Sequence, residues 1–449
     1  MTADLLAPLD LAFWNIDSAD HPMHLGALGV FSAHSPTAGA HAADLLAARA
    51  AGVPGLRMRI RDVWHPLSPG GAVREPAPGF DPQRHVLLHA PTADFQSEAG
   101  RLMECPLERG RPPWEAHVLP GEDGVTFAVL FKFHHALADG LRALALAAAV
   151  LDPLDDPPMP RRRRTEPASG PFSTLFAVPG RVRGALTDAG RALDIGASVA
   201  VSTLASRTTP ALTAASTGTR RTAGAVVDLD DVHRVRKAAG GTVNDVLIAV
   251  VAGALRGWLD ERGDGSEGVM PRVLVPVSQR RPRTAQPQGN RLSGYLLRLP
   301  VHDPDPLARL TAVRTAMDRN KDAGPGRGAG AVALLADHVP ALGHRLAGPL
   351  AARAARFWFD LLVTSVPLPG VGLRLGGHQV TEVFPYAPLA RGHSLAVAVS
   401  TYRGRVHFGL VADAAAVPDL DRLASALTAE VETLITATSA GLEDGPHAP

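Results

Sequence analysis

Apolar and polar positions fall into two kinds of pattern along this chain, short β-like runs and longer stretches of helical spacing. Residues 114–119 and 125–133 are apolar runs rich in Val, Leu and Phe, separated by Gly121-Glu122-Asp123-Gly124. Runs of that length on either side of a glycine-bounded turn predict two adjacent strands. The Leu/Ala-rich stretch that follows predicts a helix from Gly140 to about residue 151. Upstream, residues 40–51 predict a helix stopped by Gly52, and residues 92–105 predict another. Residues 53–91 are rich in Pro, Gly and His and carry only short β-like pieces such as Val86-Leu87-Leu88.

The pattern breaks after residue 151. Residues 152–160 are rich in Pro and Asp, residues 161–164 are four consecutive arginines, and residues 165–171 are turn-like. Residues 173–222 are Ala/Thr/Ser-rich with weak helical spacing, which predicts a crossover lying back over the first half. A second half begins near Ala225 with a short strand at 226–228. A helix at 231–239 follows, capped by Asp230 and stopped by Gly240-Gly241. Thr242 opens a second helix, 243–258. Strands are predicted at 272–278, 292–299, 361–366, 395–402 and 406–411, and helices at 303–321, 331–357 and 419–435, the last preceded by Pro418. The result is an α/β chain in two lobes with mixed sheets: residues 1–155, a linker and crossover at 156–224, and residues 225–449.

Composition narrows the class. The chain has 449 residues, 46% of them hydrophobic, enough for a large bilobed core. Basic and acidic residues number 45 and 44, so no global nucleic-acid footprint exists. Lysine occurs only at Lys132, Lys237 and Lys321, and cysteine only at Cys105, which excludes an intrachain disulfide or a cysteine-built metal cluster. The first residues lack a basic stretch before an apolar run, so no secretory signal is expected. The best apolar run, residues 246–255, is half the ~20 residues that span a bilayer. The expectation is a cytoplasmic protein whose membrane contact, if any, is peripheral, at the inner membrane face or on lipid bodies. The arginine run would attract CoA phosphates or anionic headgroups, unless it is only a solvated loop.

The candidate chemistry is concentrated in His134-His135-Ala136-Leu137-Ala138-Asp139-Gly140, between a predicted strand and a predicted helix. A histidine there can serve as a neutral base at pH 7, help worth ~10²–10⁴ in rate. Its neighbour on an extended segment points the other way, so His135 is the candidate base and His134 a packing or hydrogen-bonding residue. Asp139 either orients the imidazole or pins the loop by pairing with an arginine. Gly140 is expected to supply the backbone freedom of a tight turn. His21 and His24 complete no metal-ligand pattern. No G-x-S-x-G elbow, phosphate-binding loop or G-x-G-x-x-G fingerprint occurs.

With these residues the chain resembles the bacterial wax ester synthase/diacylglycerol acyltransferase family, within the CoA-dependent acyltransferases of chloramphenicol-acetyltransferase-like fold. The heptapeptide is similar to that family's active-site motif. Other segments resemble further family segments in the same order: Pro8-Leu9-Asp10 with His21-Pro22-Met23-His24-Leu25-Gly26 its N-terminal signature, Arg111-Pro112-Pro113-Trp114-Glu115 its Pro-Leu-Trp-Glu segment, Asn244-Asp245-Val246-Leu247 its Asn-Asp motif, followed by Val275-Pro276-Val277-Ser278-Gln279-Arg280, Gly289-Asn290-Arg291, Ser400-Thr401-Tyr402-Arg403-Gly404 and Pro418-Asp419. The resemblance implies an inter-lobe active-site tunnel, and His135 as general base toward an acceptor hydroxyl that attacks an acyl-CoA thioester. It implies Asp139 paired with Arg280, Asn244 as a donor near the developing oxyanion, and Asp245 holding Asn244 or the helix end. Acyl-CoA is then a substrate, no cofactor or metal is needed, and the acceptor is a long-chain alcohol or a diacylglycerol.

Two segments depart from the family pattern: Pro113 stands where leucine is usual, and residues 364–369 lack an asparagine. They motivate an alternative, acylation of a specialised metabolite at an amine or another hydroxyl, with a carrier-protein donor. A non-catalytic lipid-binding protein on the same scaffold is the third reading.

Overall fold

The computed structural model describes residues 4–65, 68–152, 208–214, 216–278, 292–323, 345, 357–366, 368 and 372–443. The chain opens with β1 (Asp4–Leu5), α1 (Pro8–Ile16), β2 (His24–Ser32) and α2 (Ala38–Ala50). Next come β3 (Met58–His65), β4 (Ser68–Pro76), β5 (Val86–Leu88), α3 (Phe95–Glu104), β6 (Trp114–Pro120), β7 (Thr126–His134) and α4 (Gly140–Ala148). The second half contributes α5 (Pro210–Thr213), β8 (Arg220–Asp228), α6 (Leu229–Ala239), α7 (Val243–Arg262), β9 (Arg272–Ser278), β10 (Leu292–Arg298) and α8 (Pro306–Ala323). It ends with β11 (Leu361–Ser365), β12 (Arg374–Leu375), β13 (His378–Tyr386), β14 (Leu395–Tyr402), β15 (Arg405–Asp413) and α9 (Leu420–Glu443).

Two six-stranded mixed sheets carry the lobes, in the orders β12-β13-β2-β7-β6-β5 and β10-β9-β11-β14-β15-β8, and a small sheet β1-β4-β3 packs beside the first. The second lobe is built round α7, whose residues from Asp245 to Leu255 are all buried. A helix apolar all round belongs inside a core. Thr242 and Asp245 form a reciprocal capping box at its start, and Gly263 in the left-handed conformation ends it.

The expected division of the chain at residue 225 does not hold for one segment. β12 and β13 come from the second half, yet β13 pairs antiparallel with β2 in the first sheet. Val380, Val383 and Phe384 are buried there among first-lobe side chains, which is what holds the exchange in place. β8 is longer than the three residues expected, because all nine of its residues pair with β15. The cap of α6 is Asp228, whose side chain accepts the Asp230 amide, and not Asp230 itself. Apart from residues 345 and 357, the helix expected at 331–357 lies outside the described residues, as does the arginine run 161–164.

Among the described residues no single helix is long and apolar enough to cross a membrane. The bent pair α6–α7 together has the length and apolar composition of a span, but α7 is the buried core helix just described.

Candidate active site

The His-His turn begins where β7 ends. β7 lies in the middle of the first sheet, between β2 and β6, so its end is held on both sides. His24 of β2 is the register partner of His134, and the His134 amide donates to the carbonyl of Pro113 (3.0 Å). The His134 carbonyl then accepts the Leu137 amide (2.8 Å), closing the turn. Asp139 caps α4: its carboxylate accepts the Arg142 amide at 2.9 Å. Asp139 therefore caps the start of the helix, a role that is neither of the two expected for it. Arg280 lies outside the described residues.

Gly140 corrects an expectation. Its φ is not in the left-handed range, because the turn is closed by the His134 carbonyl and the Asp139 cap rather than by a special glycine geometry. A Cβ at Gly140 would meet Val366 Cγ2, just beyond β11 of the second lobe, at 3.4 Å, an ordinary van der Waals contact. Pro113 and Val366, one in each of the two departing segments, thus both abut the histidine turn.

His135 is 8% exposed. The ring of Phe13, from α1, stacks on its imidazole with centroids 3.9 Å apart and planes 18° from parallel. Burial drives its pKa down to about 4; a bond to its own backbone carbonyl works the other way and the neighbouring His134 adds slightly to the fall. The imidazole is therefore neutral at pH 7, the state a base requires.

His134 faces away, as expected. Its Nδ1 accepts the Ala136 amide (3.0 Å), so the ring proton sits on Nε2, which stands 3.5 Å from Asp17 Oδ1. Trp14 meets the ring edge-on at 5.1 Å. Arg74, buried on β4, donates to the Ala136 carbonyl (2.8 Å) and reaches Asp10 at 3.4 Å. Burial and the charge of Arg142 press the Arg74 pKa down, while Asp10 opposes them.

Asn244 and Asp245 occupy the first turn of α7. Asp245 is tied to Thr242, accepting its amide at 2.8 Å; its Oδ1 has no hydrogen-bond partner among the described residues. Asn244 is half-buried and makes no side-chain hydrogen bond there. The described contacts thus gather His134, His135, Asp139 and Gly140 at one turn, and Asn244 joins none of them. Among the described residues no cluster of three His, Cys, Asp or Glu side chains could hold a metal ion.

Phe13, Trp14, Asp17 and Arg74 are the site residues that periodicity does not reveal. Three lie on or just after a nine-residue helix and one on a β-hairpin, both far from the motif in sequence. The available signal was the Pro8-Leu9-Asp10 segment, since proline at a first helical position marks a helix start.

A two-lobed scaffold with a histidine turn at the end of a central strand defines the CoA-dependent acyltransferase type of fold. The wax ester synthase/diacylglycerol acyltransferase of Marinobacter aquaeolei has it, with a TM-score of 0.71 at 23% identity over 97% of this chain and 100% of that one. So does the first condensation domain of the CDA synthetase, at TM-score 0.53 and 16% identity over 98% and 96% of the two chains. The chain belongs to the wax ester synthase/diacylglycerol acyltransferase family: the catalytic-domain model matches residues 6–247 and the C-terminal-domain model residues 288–434. It is 31% identical to a Mycobacterium tuberculosis protein named a probable diacylglycerol O-acyltransferase, tgs2, over 96% of this chain and 98% of the relative.

Proposed function

We propose that this protein transfers a fatty acyl group from acyl-CoA to a hydroxyl, of a long-chain alcohol or a diacylglycerol, giving wax ester or triacylglycerol. The observation that carries the reading is His135: a neutral, buried imidazole on the turn between β7 and α4, in a chain that matches the family along both domains.

In this mechanism His135 removes the acceptor's hydroxyl proton as the oxygen attacks the thioester carbonyl. The new ester bond forms, the carbon–sulfur bond breaks, and His135 returns the proton to the departing CoA thiolate. No covalent enzyme intermediate is needed. Asn244, at the positive end of α7, is the proposed donor to the oxyanion; Asp245 secures that helix end through Thr242. Asp139 holds the turn, and its pairing with Arg280 is part of the proposal. The enzyme works at a lipid surface, peripherally bound, with the arginine run at 161–164 supplying attraction to anionic headgroups or CoA phosphates.

The test is product profiling by mass spectrometry against several acyl-CoAs, fatty alcohols and a diacylglycerol, with His135→Ala alongside. Turnover should fall by ~10²–10⁴ in the variant, and a folded variant at full activity overturns the mechanism. Because burial holds His135 near 4, the acid limb of kcat/KM should lie near pH 4, not near 6.5. A limb at 6.5 would show a solvated base.

A second reading has its own observation: Pro113 and Val366, in the two departing segments, border the histidine turn. It predicts a specialised acceptor, and exclusive use of long-chain alcohols and diacylglycerol in the same panel rules it out. Absence of turnover with every donor and acceptor would favour the lipid-binding reading.

A further inference from the structure

Asp17 is the residue just beyond α1, and its Oδ1 faces two groups. It accepts the Met23 amide at 2.9 Å and stands 3.5 Å from His134 Nε2. Each contact continues to the backbone beside His135. Met23 presents its carbonyl to the His135 amide at 2.8 Å. His134, through Nδ1, accepts the Ala136 amide at 3.0 Å. The peptide groups before and after the candidate base therefore both lead back to one carboxylate.

The carboxylate is itself fixed. Arg109 approaches Oδ2 at 3.5 Å, donates to the Trp14 carbonyl at 3.0 Å, and lies over the Trp14 ring at 4.3 Å. Trp14 is anchored by its indole N–H to Asp62 at 2.7 Å. Burial alone would raise the Asp17 pKa, but the His134 contact and the Met23 amide outweigh it and hold the group ionised. The pairing also has a definite polarity. An amide donates to His134 Nδ1, so Nε2 carries the proton; it makes no hydrogen bond among the described residues and faces the Asp17 carboxylate at 3.5 Å, an electrostatic contact.

We infer that Asp17 is a positioning residue for the base, acting on His135 through Met23 on one side and through His134 on the other. His134 is then the intermediary in this arrangement rather than a bystander. The inference rests on the assignment of His135 as base. A group that only positions should alter the rate of the chemical step more than substrate binding, since small misplacements at a reacting centre are costly.

The experiment is a kinetic double-mutant cycle in the full-length protein, using Asp17→Ala, His134→Ala and both together, with Asp17→Asn and Asp17→Glu alongside. Asp17→Ala should lower kcat by ~10–100-fold with KM for acyl-CoA changed by less than about threefold. The double variant should lose little more than the worse single one, because both changes break the same connection. Glutamate, which keeps the charge, should recover part of the rate that alanine loses. If Asp17→Ala melts below the assay temperature, the cycle runs on Asp17→Asn, which keeps the acceptor for Met23. Wild-type kcat in both the Ala and Asn variants, a loss confined to KM, or strict additivity with His134→Ala overturns the inference. His135→Ala separates the two ideas. If it is fully active, the base assignment fails. If it is inactive while the Asp17 variants turn over normally, only the positioning role fails.

Discussion

His407 carries an imidazole into the contact between the two large sheets, edge-on to Phe384 at 5.7 Å, and neither ring nitrogen finds a hydrogen-bond partner among the described residues. Burial, helped by the charge of Arg405, lowers its pKa to about 4. The unfolded chain, with an ordinary histidine near 6.5, binds the proton first, so this residue makes stability fall as pH drops from about 6.5 toward 4. Leaving buried polar atoms unpaired also costs ~1–3 kcal/mol at neutral pH. His407→Leu, close in volume, should therefore raise the melting temperature at pH 7 and raise it further at pH 5. A lower melting temperature at both values would show that the ring has a bonding role. Legibility at this scale divides along similar lines. The histidine pair could be read because both residues sit beside the strand that presents them. Phe13 and Asp17 could not, because a nine-residue helix shows little periodicity and nothing in its sequence says which ring it will cover.

Among the elements, β6, β7 and α3 are joined by one of the chain's few lysines. Lys132 is fully buried and donates to the Leu102 and Cys105 carbonyls at the end of α3, both at 2.9 Å, and to Glu115 at 3.2 Å. A cation at a helix C-terminus meets the carbonyls left without intrahelical partners. For Glu115, burial pushes the pKa up, but the His117 bond and the Lys132 charge outweigh it and bring it to about 2. Its stabilising contribution is present above the ordinary value near 4.5 and is lost as pH falls toward 2. Glu115→Ala leaves the Lys132 ammonium buried with carbonyls alone and should cost ~3–5 kcal/mol in urea unfolding at pH 7. A loss under ~1 kcal/mol would mean that the two carbonyls suffice. The strands themselves were legible, since Gly121 to Gly124 separates them plainly. So in principle was the β12–β13 turn, where Gly376 and Gly377 both take positive φ, as a two-residue hairpin loop requires. The sheet that this hairpin joins is a matter of long-range packing, which local pattern does not carry.

For the whole molecule, the backbone of β15 comes close to that of β13 at Gly409. A Cβ on Gly409 of β15 would overlap the Pro385 carbonyl of β13, and one on Gly224 of β8 would overlap the Phe384 ring. Gly409→Ala must push one sheet from the other, and a loss of at least ~3 kcal/mol or failure to accumulate as folded protein is expected from overpacking against backbone. Wild-type stability in chemical denaturation would show that the sheets can part without cost. The α/β class and the two sheets were legible from strand and helix spacing, but the shared strands were not, because only tertiary contact reveals them.

That sharing constrains the order in which the protein can be made. Thr381 bonds to the Val30 carbonyl across 351 positions of chain. While the ribosome is still translating the second half, β2 has its β7 neighbour but lacks the partner on its other edge. An unpaired central strand invites pairing with other chains. The sheet that bears His135 closes only when most of the polypeptide has emerged. Cutting the chain near residue 225 would therefore yield an N-terminal fragment with an open sheet edge, prone to association, rather than a free-standing half-enzyme.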